Sequence, residues 1–433
     1  MELGTRSDEF IVTRYGLCVA QKIYMLTILI FFIILGLLIF VHELGHFVAA
    51  RRNGITADEF GFGFPPRLVG VQRFSVPAGG NDSHVIFRKS RWRIVWGSRG
   101  EAPEKYAGMQ AGTLYSLNWI PLGGFVRIKG EDGSTKSDPD SFASKSAWTR
   151  VKVLGAGVMM NFVLAWLVIA LAFWIGAPQD AEQVRQGGIV IKKQIQISQV
   201  QKDSPADQMG VQIGDEIVRC LDSAEPLCAE SFLRVEDVQR YIHNHIGGQI
   251  SLQVIRAGKA VELGGQPSSG RTAKEGALGI GLVRTAVVRY PWYQAILEGL
   301  LSMLRLTWMT LSAFGGMLRD LVVGHPVAVD VSGPVGIVYF TKQVTQLGFI
   351  YILQFIAILS INLGIINALP LPALDGGRIL FILIEKLKGS PVSHKVENVV
   401  HTIGFALLIT LMIFVTFRDV IKFNIIGKIL SLF

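Results

Sequence analysis

The chain has 433 residues, of which 50% are hydrophobic and 17% charged, and its mean hydropathy is +0.42. This composition is typical of a membrane protein and excludes an ordinary soluble enzyme. The formal net charge is +9, and the basic residues concentrate in residues 51–152, as in a cytoplasmic loop of a membrane protein. No RNA- or DNA-binding motif accompanies them, so we expect no nucleic-acid partner.

The first predicted element is a transmembrane helix over residues 25–47. Its apolar part, residues 25–41, is uncharged and covers most of a bilayer core of about 30 Å at about 1.5 Å per residue. No small-residue cleavage site follows, so we expect the segment to be retained rather than removed as a signal peptide. We interpret the mixed polar residues 1–24 as an N-terminal extension, since Met25 is a natural start.

Two segments between the predicted spans have different compositions. Residues 48–151 are basic and punctuated by glycine, and the stretch WIPLGGFVRIKG predicts short strands and turns at the membrane surface. Residues 190–288 alternate strand, turn and helix patterns and predict a soluble α+β module. The charge of this module is nearly balanced, which favours the opposite side of the membrane from the basic segment.

Three more apolar stretches predict transmembrane helices over residues 152–177, 347–376 and 399–418, followed by a C-terminal tail over residues 419–433. A further apolar segment, residues 292–323, contains Glu298, Arg305 and Arg319, which a lipid-exposed span tolerates badly. We therefore favour an amphipathic helix at the membrane interface over a fifth span, and both alternatives remain open.

The three cysteines do not support a Cys-based metal site, because none of them belongs to a CxxC pair. Cys220 and Cys228 lie close together in the module that we expect outside the cytoplasm. A disulfide between them and two free thiols are both compatible with the sequence.

The end of the first predicted span carries the sequence HELGH, residues 42–46. On a helix, His42 and His46 lie one turn apart on one face, so both can bind one zinc ion. Glu43 beside them can take a proton from the attacking water. An ionisable cluster inside a span indicates a functional site rather than a solvated helix surface.

Catalytic zinc needs a third protein ligand and an open position. Asp58 and Glu59 follow HELGH so closely that the chain has little room to fold back and bring them to the histidines. We therefore favour Asp375 in the distant sequence NALPLPALDGGR as the third ligand. The backbone there contains two prolines that prevent a regular helix and two glycines that allow a sharp turn: Pro370, Pro372, Gly376 and Gly377. A carboxylate at membrane depth on a segment that cannot form a regular helix is well placed to be the third zinc ligand.

HELGH in the first span together with NALPLPALDGG in the third resembles the site-2 protease family of intramembrane zinc proteases. SPADQMGVQIGDEIV and LGIGL resemble a PDZ domain, whose place between spans two and three resembles the bacterial, regulator of sigma-E protease type. The resemblance covers the chain from about residue 25 to its C-terminus. It implies a polytopic α-helical membrane protein with about four transmembrane helices, a membrane-associated β-loop and an inserted α+β PDZ domain over residues 190–288.

Transferred residue by residue, the resemblance implies that His42, His46 and Asp375 bind Zn²⁺ and that Glu43 is the general base. It implies substrate-binding roles for two asparagines of the third span and for part of the β-loop: Asn362, Asn367, Gly123, Gly124 and Phe125. The sequence GAGVMMN, which ends at Asn161, also matches the family pattern but has no assigned role.

The activity implied is that of an intramembrane endopeptidase in the lipid bilayer of the bacterial inner membrane. Its active site would face the cytoplasm and its PDZ domain would lie outside. The implied substrates are single-pass membrane proteins, such as anti-sigma factors after a first cut or remnant signal peptides. Peptide termini would bind to the PDZ domain, which would filter out intact ectodomains.

Two other functions remain open at the level of sequence. A membrane-anchored zincin acting on soluble peptides would take its third ligand from Asp58 or Glu59. A non-catalytic PDZ membrane scaffold would bind no zinc. Neither explains the sequence PLPALDGG, so we favour the intramembrane protease.

Overall fold

A computed structural model describes residues 5–75, 90–97, 109–133, 135–222, 228, 231–232, 234–268, 276–325, 333–390 and 392–422. The chain divides into two compact units. The first comprises residues 1–165, 303–342 and 356–433, and the second comprises residues 166–302 and 343–355.

Four described helices are long and apolar enough to cross a membrane, which agrees with the four predicted spans. They are α1 (Thr5–Arg52) over Met25–Arg52, α2 (Ala147–Ile175), α7 (Phe349–Ala368), and α9 (His394–Lys422) over Lys395–Lys422. Because α1 begins at Thr5, the predicted boundary at residue 25 is not a break in the helix. The predicted tail begins inside α9, and residues 423–433 lie outside the described residues.

The predicted third span, residues 347–376, is wrong at its C-terminal end. Helix α7 ends at Ala368, and Asp375 begins a separate helix, α8 (Asp375–Lys388). Residues 369–374 between them are not helical. The reason is chemical, because Pro370 and Pro372 lack the amide hydrogen and clash with the preceding turn of a helix.

Two further helices, α5 (Trp292–Val323) and α6 (Pro334–Leu347), precede α7, and neither is among the four candidate spans. In the second unit, Glu298 of α5 forms an ion pair with Arg185 at 3.5 Å. In the first unit, the buried Asp419 of α9 accepts hydrogen bonds from the amides of Gly333 and Gly336 at the start of α6. An interfacial position of α5 stays a prediction.

The first unit contains a three-stranded antiparallel sheet of β1 (Ala57–Ser75), β2 (Ser90–Trp96) and β3 (Gln110–Ile128), in the order β2-β1-β3. Residues 59–62 of β1 pair with both halves of β3, so that Phe62 is opposite Leu117 and also opposite Gly124. Strand structure in WIPLGGFVRIKG is therefore confirmed, but the predicted short strands separated by turns are wrong, because residues 119–128 belong to one continuous strand. The second half of β3 contacts α1 at Gly123, Gly124 and Val126.

A cluster of charged side chains ties the ends of β1 and β3 together. Lys129 lies 2.8 Å from Asp140 and 2.9 Å from Asp138, and the hydroxyl of Thr56 donates to Asp140 at 2.8 Å. The hydrogen bond between Lys129 and Asp140 raises the pKa of the lysine above its ordinary value and lowers the pKa of the aspartate. These contacts fix the strand that passes the end of α1.

The second unit contains a six-stranded antiparallel sheet in the order β4-β9-β5-β6-β7-β8. Its strands are β4 (Ala177–Asp180), β5 (Ile189–Val200), β6 (Glu216–Cys220), β7 (Ile250–Arg256), β8 (Lys259–Gly265) and β9 (Ile280–Arg289). Two helices accompany them, α3 (Pro205–Gln208) and α4 (Val235–Asn244). The α+β character predicted for residues 190–288 is confirmed.

Alternate residues of the strands form the core of this module, as expected for strands with one buried face. Ile195 and Ile197 of β5 and Leu252 and Val254 of β7 pack with Tyr241 of α4, and all five are nearly inaccessible. Burial of such side chains contributes roughly 1.5–3 kcal/mol each to folding. The module therefore has a hydrophobic core of its own.

Two polar links reinforce the module. Asp215 is completely buried and accepts hydrogen bonds from Arg256 at 2.6 and 2.7 Å, which raises the pKa of the arginine. Cys220 and Cys228 form a disulfide, which decides between the two alternatives left open by the sequence.

Candidate metal centre

Three side chains meet at one point of the first unit: His42 and His46 of α1, and Asp375 at the start of α8. Oδ2 of Asp375 lies 3.0 Å from Nε2 of His42 and 3.3 Å from Nε2 of His46. The two Nε2 atoms are 3.1 Å apart. Both histidines are buried, and the aspartate is mostly buried.

This set of donor atoms fits zinc. Nitrogen and oxygen ligands at about 2.0–2.1 Å from a tetrahedral zinc ion lie about 3.3–3.4 Å from each other, close to the separations found here. Oδ2 of Asp375 is buried and has no hydrogen-bond partner among the described residues, so a cation would neutralise an otherwise orphaned atom. Among the described residues the cluster offers three ligand atoms, which would leave a fourth position open on a tetrahedral zinc ion, as in catalytic rather than structural zinc sites.

The geometry of α1 explains why two of the three side chains converge. His42 and His46 are four residues apart and therefore lie on the same face of the helix. Glu43, one residue further round the helix, points toward the sheet, where its Oε2 accepts a hydrogen bond of 3.1 Å from the backbone N–H of Val126. The glutamate is beside the two histidines but is not one of the three clustered side chains.

The predicted substrate-binding residues of the β-loop lie against α1. Gly123 has φ +112°, and a Cβ added there would lie 2.6 Å from a side-chain carbon of Ile39. A Cβ on Gly124 would lie 2.8 Å from the carbonyl oxygen of Gly61. These glycines therefore allow β3 to approach both α1 and β1, and Phe125 follows them on the same strand. Their role toward a substrate stays a prediction.

The loop before Asp375 is held by a residue of α9. Ala373 has φ +71°, a conformation that residues with a side chain rarely adopt. Its backbone N–H donates a hydrogen bond of 2.8 Å to Nδ1 of His401. The ring of His401 also contacts the ring of Phe381 in α8, with centroids 5.4 Å apart. His401 thus connects the metal-ligand loop to two helices.

The prediction that Gly376 and Gly377 allow a sharp turn is wrong. Both lie inside the first turn of α8 and are buried, and the residue with positive φ is Ala373. A Cβ on Gly376 would lie 2.3 Å from the carbonyl oxygen of Leu369, and one on Gly377 would lie 2.1 Å from that of Leu371. The two glycines are needed because the loop packs directly onto the start of α8.

Helix α2 lies against the outer side of both histidines, a feature that the sequence analysis missed. Nδ1 of His46 lies 2.9 Å from the carbonyl oxygen of Val153, and Nδ1 of His42 lies 3.0 Å from the side-chain amide of Asn161. Between them, a Cβ on Gly157 would lie 2.3 Å from Nε2 of His46. The sequence carries one signal of this contact. Residues 153, 157 and 161 are spaced four apart, as the two histidines are, so they share one face of α2.

The alternative ligands in the loop after HELGH are engaged elsewhere or remain outside the cluster. Glu59 is buried in β1 and accepts hydrogen bonds from Arg67 at 2.9 and 3.2 Å. Asp58 is not among the residues that cluster with His42 and His46 in the described part of the chain. The anchored-zincin alternative therefore has no third ligand at this position.

Asn362 and Asn367 lie on α7 and are both half-buried. Neither side-chain amide makes a hydrogen bond to another described residue. Helix α7 instead meets α2 through Ser360, whose hydroxyl donates to the carbonyl oxygen of Asn161 at 2.8 Å. The assignment of the two asparagines to substrate binding stays a prediction.

Comparisons with known proteins cover nearly the whole chain. The model of peptidase family M50 matches residues 30–78 and 84–411. A protein of Oceanobacillus iheyensis named zinc metalloprotease RasP is 30% identical over 439 residues, which cover 92% of this chain and 99% of the relative. A protein of Bacillus subtilis named regulator of sigma-W protease RasP is 28% identical over 442 residues, covering 91% and 98%.

Proposed function

Because this chain belongs to peptidase family M50 and is a zinc metalloprotease that acts within the membrane, we propose that His42, His46 and Asp375 hold its zinc ion and that Glu43 is its general base. The observation that carries this proposal is the meeting of the three donor atoms within 3.0–3.3 Å at the end of a candidate membrane span. Glu43 is adjacent to these atoms and is left out of the ligand set.

The chain's own residues supply the proton chemistry. When bound, zinc supplies Lewis-acid polarisation of the scissile carbonyl and of the attacking water. Glu43 accepts the proton of that water and returns it to the leaving amine. The hydrogen bond from Val126 holds one carboxylate oxygen of Glu43 and leaves the other for this proton transfer. Buried surroundings keep bulk water away from the histidines.

The substrates of this proposal are transmembrane segments of single-pass membrane proteins. A membrane helix must unwind before it is cut, and its freed backbone groups then need partners. The strand at Gly123, Gly124 and Phe125 offers backbone groups beside Glu43, and the amides of Asn362 and Asn367 offer further donors and acceptors. Anti-sigma factors after a first cut and remnant signal peptides are candidates of this class, and the name of the Bacillus subtilis relative supports the first.

Residues 190–288 of the second unit serve in this proposal as a PDZ domain outside the cytoplasm that binds peptide termini. Its antiparallel sheet with the accompanying helix α4 supports such a domain. The disulfide between Cys220 and Cys228 supports an oxidising compartment. The basic residues between the first two spans support a cytoplasmic position of that segment in a bacterial inner membrane.

The test uses the purified full chain in detergent with a single-pass membrane protein as substrate, and maps the cut by mass spectrometry. Cleavage inside the hydrophobic segment that is lost in Glu43→Gln supports the proposal. The exposed Glu236 of α4 provides the control, because Glu236→Gln removes the same charge in the other unit. The proposed function would be contradicted if the protein cut only soluble peptides, or if Glu43→Gln cut the membrane substrate as well as the wild type does.

A further inference from the structure

We propose that Asn161 is a positioning residue that fixes His42 in the tautomer able to bind the metal. The proposal rests on the function proposed above. Nε2 of His42 faces Asp375 and His46, whereas Nδ1 of the same ring lies 3.0 Å from the amide nitrogen Nδ2 of Asn161. The two nitrogens of this imidazole therefore have separate partners, one in the metal centre and one on α2.

The chemistry of imidazole decides which atom of Asn161 must face the ring. A neutral histidine carries its proton on one nitrogen, so a lone pair on Nε2 requires a proton on Nδ1. That N–H needs an acceptor because the site is buried. Asn161 is fully buried, and its Oδ1 has no hydrogen-bond partner among the described residues. A half-turn of the amide exchanges its oxygen and nitrogen without changing its shape, and it brings Oδ1 onto Nδ1–H of His42.

The neighbouring ligand has the same arrangement with a different acceptor. Nδ1 of His46 lies 2.9 Å from the carbonyl oxygen of Val153, and a carbonyl oxygen can only accept. His46 therefore carries its proton on Nδ1 and presents a lone pair on Nε2. Val153 and Asn161 are eight residues apart, two turns along α2, and the histidines are four apart on α1. One face of α2 thus orients both metal ligands through their outer nitrogens.

The position of Asn161 is itself fixed by packing. The hydroxyl of Ser360 on α7 donates to its backbone carbonyl at 2.8 Å, and Ser360 is fully buried. A Cβ on Gly364, one turn later on α7, would lie 3.4 Å from Cβ of Asn161. Ser360 and Gly364 therefore approach Asn161 at its backbone carbonyl and its Cβ. Ser360 offers a control that disturbs the same contact between helices but leaves the amide in place.

The experiment measures the zinc affinity of the purified full chain by competition with a chelator of known affinity. Loss of a hydrogen-bond partner behind a metal-binding histidine typically costs about 10–100-fold in metal affinity. We expect a loss of this size for Asn161→Leu, which has nearly the same shape but no acceptor. Asn161→Asp keeps an acceptor oxygen and should retain wild-type affinity, as should Ser360→Ala. If Asn161→Leu does not fold, Asn161→Ala replaces it.

Three outcomes would overturn the proposal. Wild-type zinc affinity in Asn161→Leu or Asn161→Ala would show that His42 does not need this partner. An equal loss in Ser360→Ala would show that packing between α2 and α7, rather than the amide, is responsible. A loss in Asn161→Asp as large as in Asn161→Leu would show that the amide acts as a donor. Absence of zinc from the wild-type protein would instead refute the proposed metal site, and this inference with it.

Discussion

Replacing Gly157 by alanine places a methyl group inside the metal centre. The added Cβ would lie 2.3 Å from Nε2 of His46 and 2.9 Å from Cε1 of His42. Non-bonded atoms of this kind settle about 3.5 Å apart, so α2 or the imidazole rings must move by about 1 Å. Because a misplacement of about 1 Å costs about 100-fold in rate, we expect kcat/KM to fall by about that factor or more, with loss of zinc.

The same substitution two residues earlier is the matched control. Gly155 lies on α2 as well, and a Cβ there would meet nothing within 4 Å. Each change from glycine to alanine raises helix propensity by about 1 kcal/mol, so neither variant should lose α2 through propensity. The assay compares zinc content and cleavage of a single-pass substrate in both variants. Equal zinc and equal kcat/KM in Gly157→Ala and Gly155→Ala would refute the packing of α2 against the histidines.

Three further predictions concern other parts of the molecule. Glu43→Gln should lower kcat by about 10²–10⁴-fold and keep its zinc, because in the proposed function Glu43 transfers protons without binding the metal, and loss of zinc would contradict this role. His401→Ala should weaken zinc binding because the backbone N–H of Ala373 loses its acceptor, while His401→Asn should restore zinc binding by supplying one. Equal zinc affinities of the two variants, measured by titration, would refute the link between His401 and the metal centre. Asp215→Ala should destabilise the second unit by roughly 3 kcal/mol because Arg256 loses its ion-pair partner and the backbone N–H of Gln212 loses its acceptor, and an unchanged thermal unfolding midpoint would contradict this.

The spans and the shared helix face of His42 and His46 could be predicted from the sequence because their signals are local. A long uncharged run is enough to predict a membrane helix, and the four-residue spacing of His42 and His46 is enough to predict a shared face. Asp375 could be predicted despite its distance because Pro370 and Pro372 mark a broken helix beside a carboxylate. In each case the residue type itself carries the information.

Other features of the metal centre have only weak or ambiguous signals in the sequence. Gly376 and Gly377 could indicate either a turn or a close approach, and the structure assigns them to the second. Ala373 gives no indication of its positive φ, since alanine does not favour that conformation. The acceptor behind His46 is a backbone carbonyl, that of Val153, which any residue would supply. Contacts of this kind depend on how helices pack, and no spacing in one segment specifies them.

The zinc content of the detergent-purified chain tests the central claim most directly. It compares wild type with Asp375→Ala and with the double variant Asp58→Ala/Glu59→Ala. We predict near-stoichiometric zinc in the wild type and in the double variant, and its loss in Asp375→Ala, because among the described residues only Asp375 clusters with the two histidines. Zinc that persists in Asp375→Ala and disappears from the double variant would contradict the intramembrane site and support an anchored zincin instead.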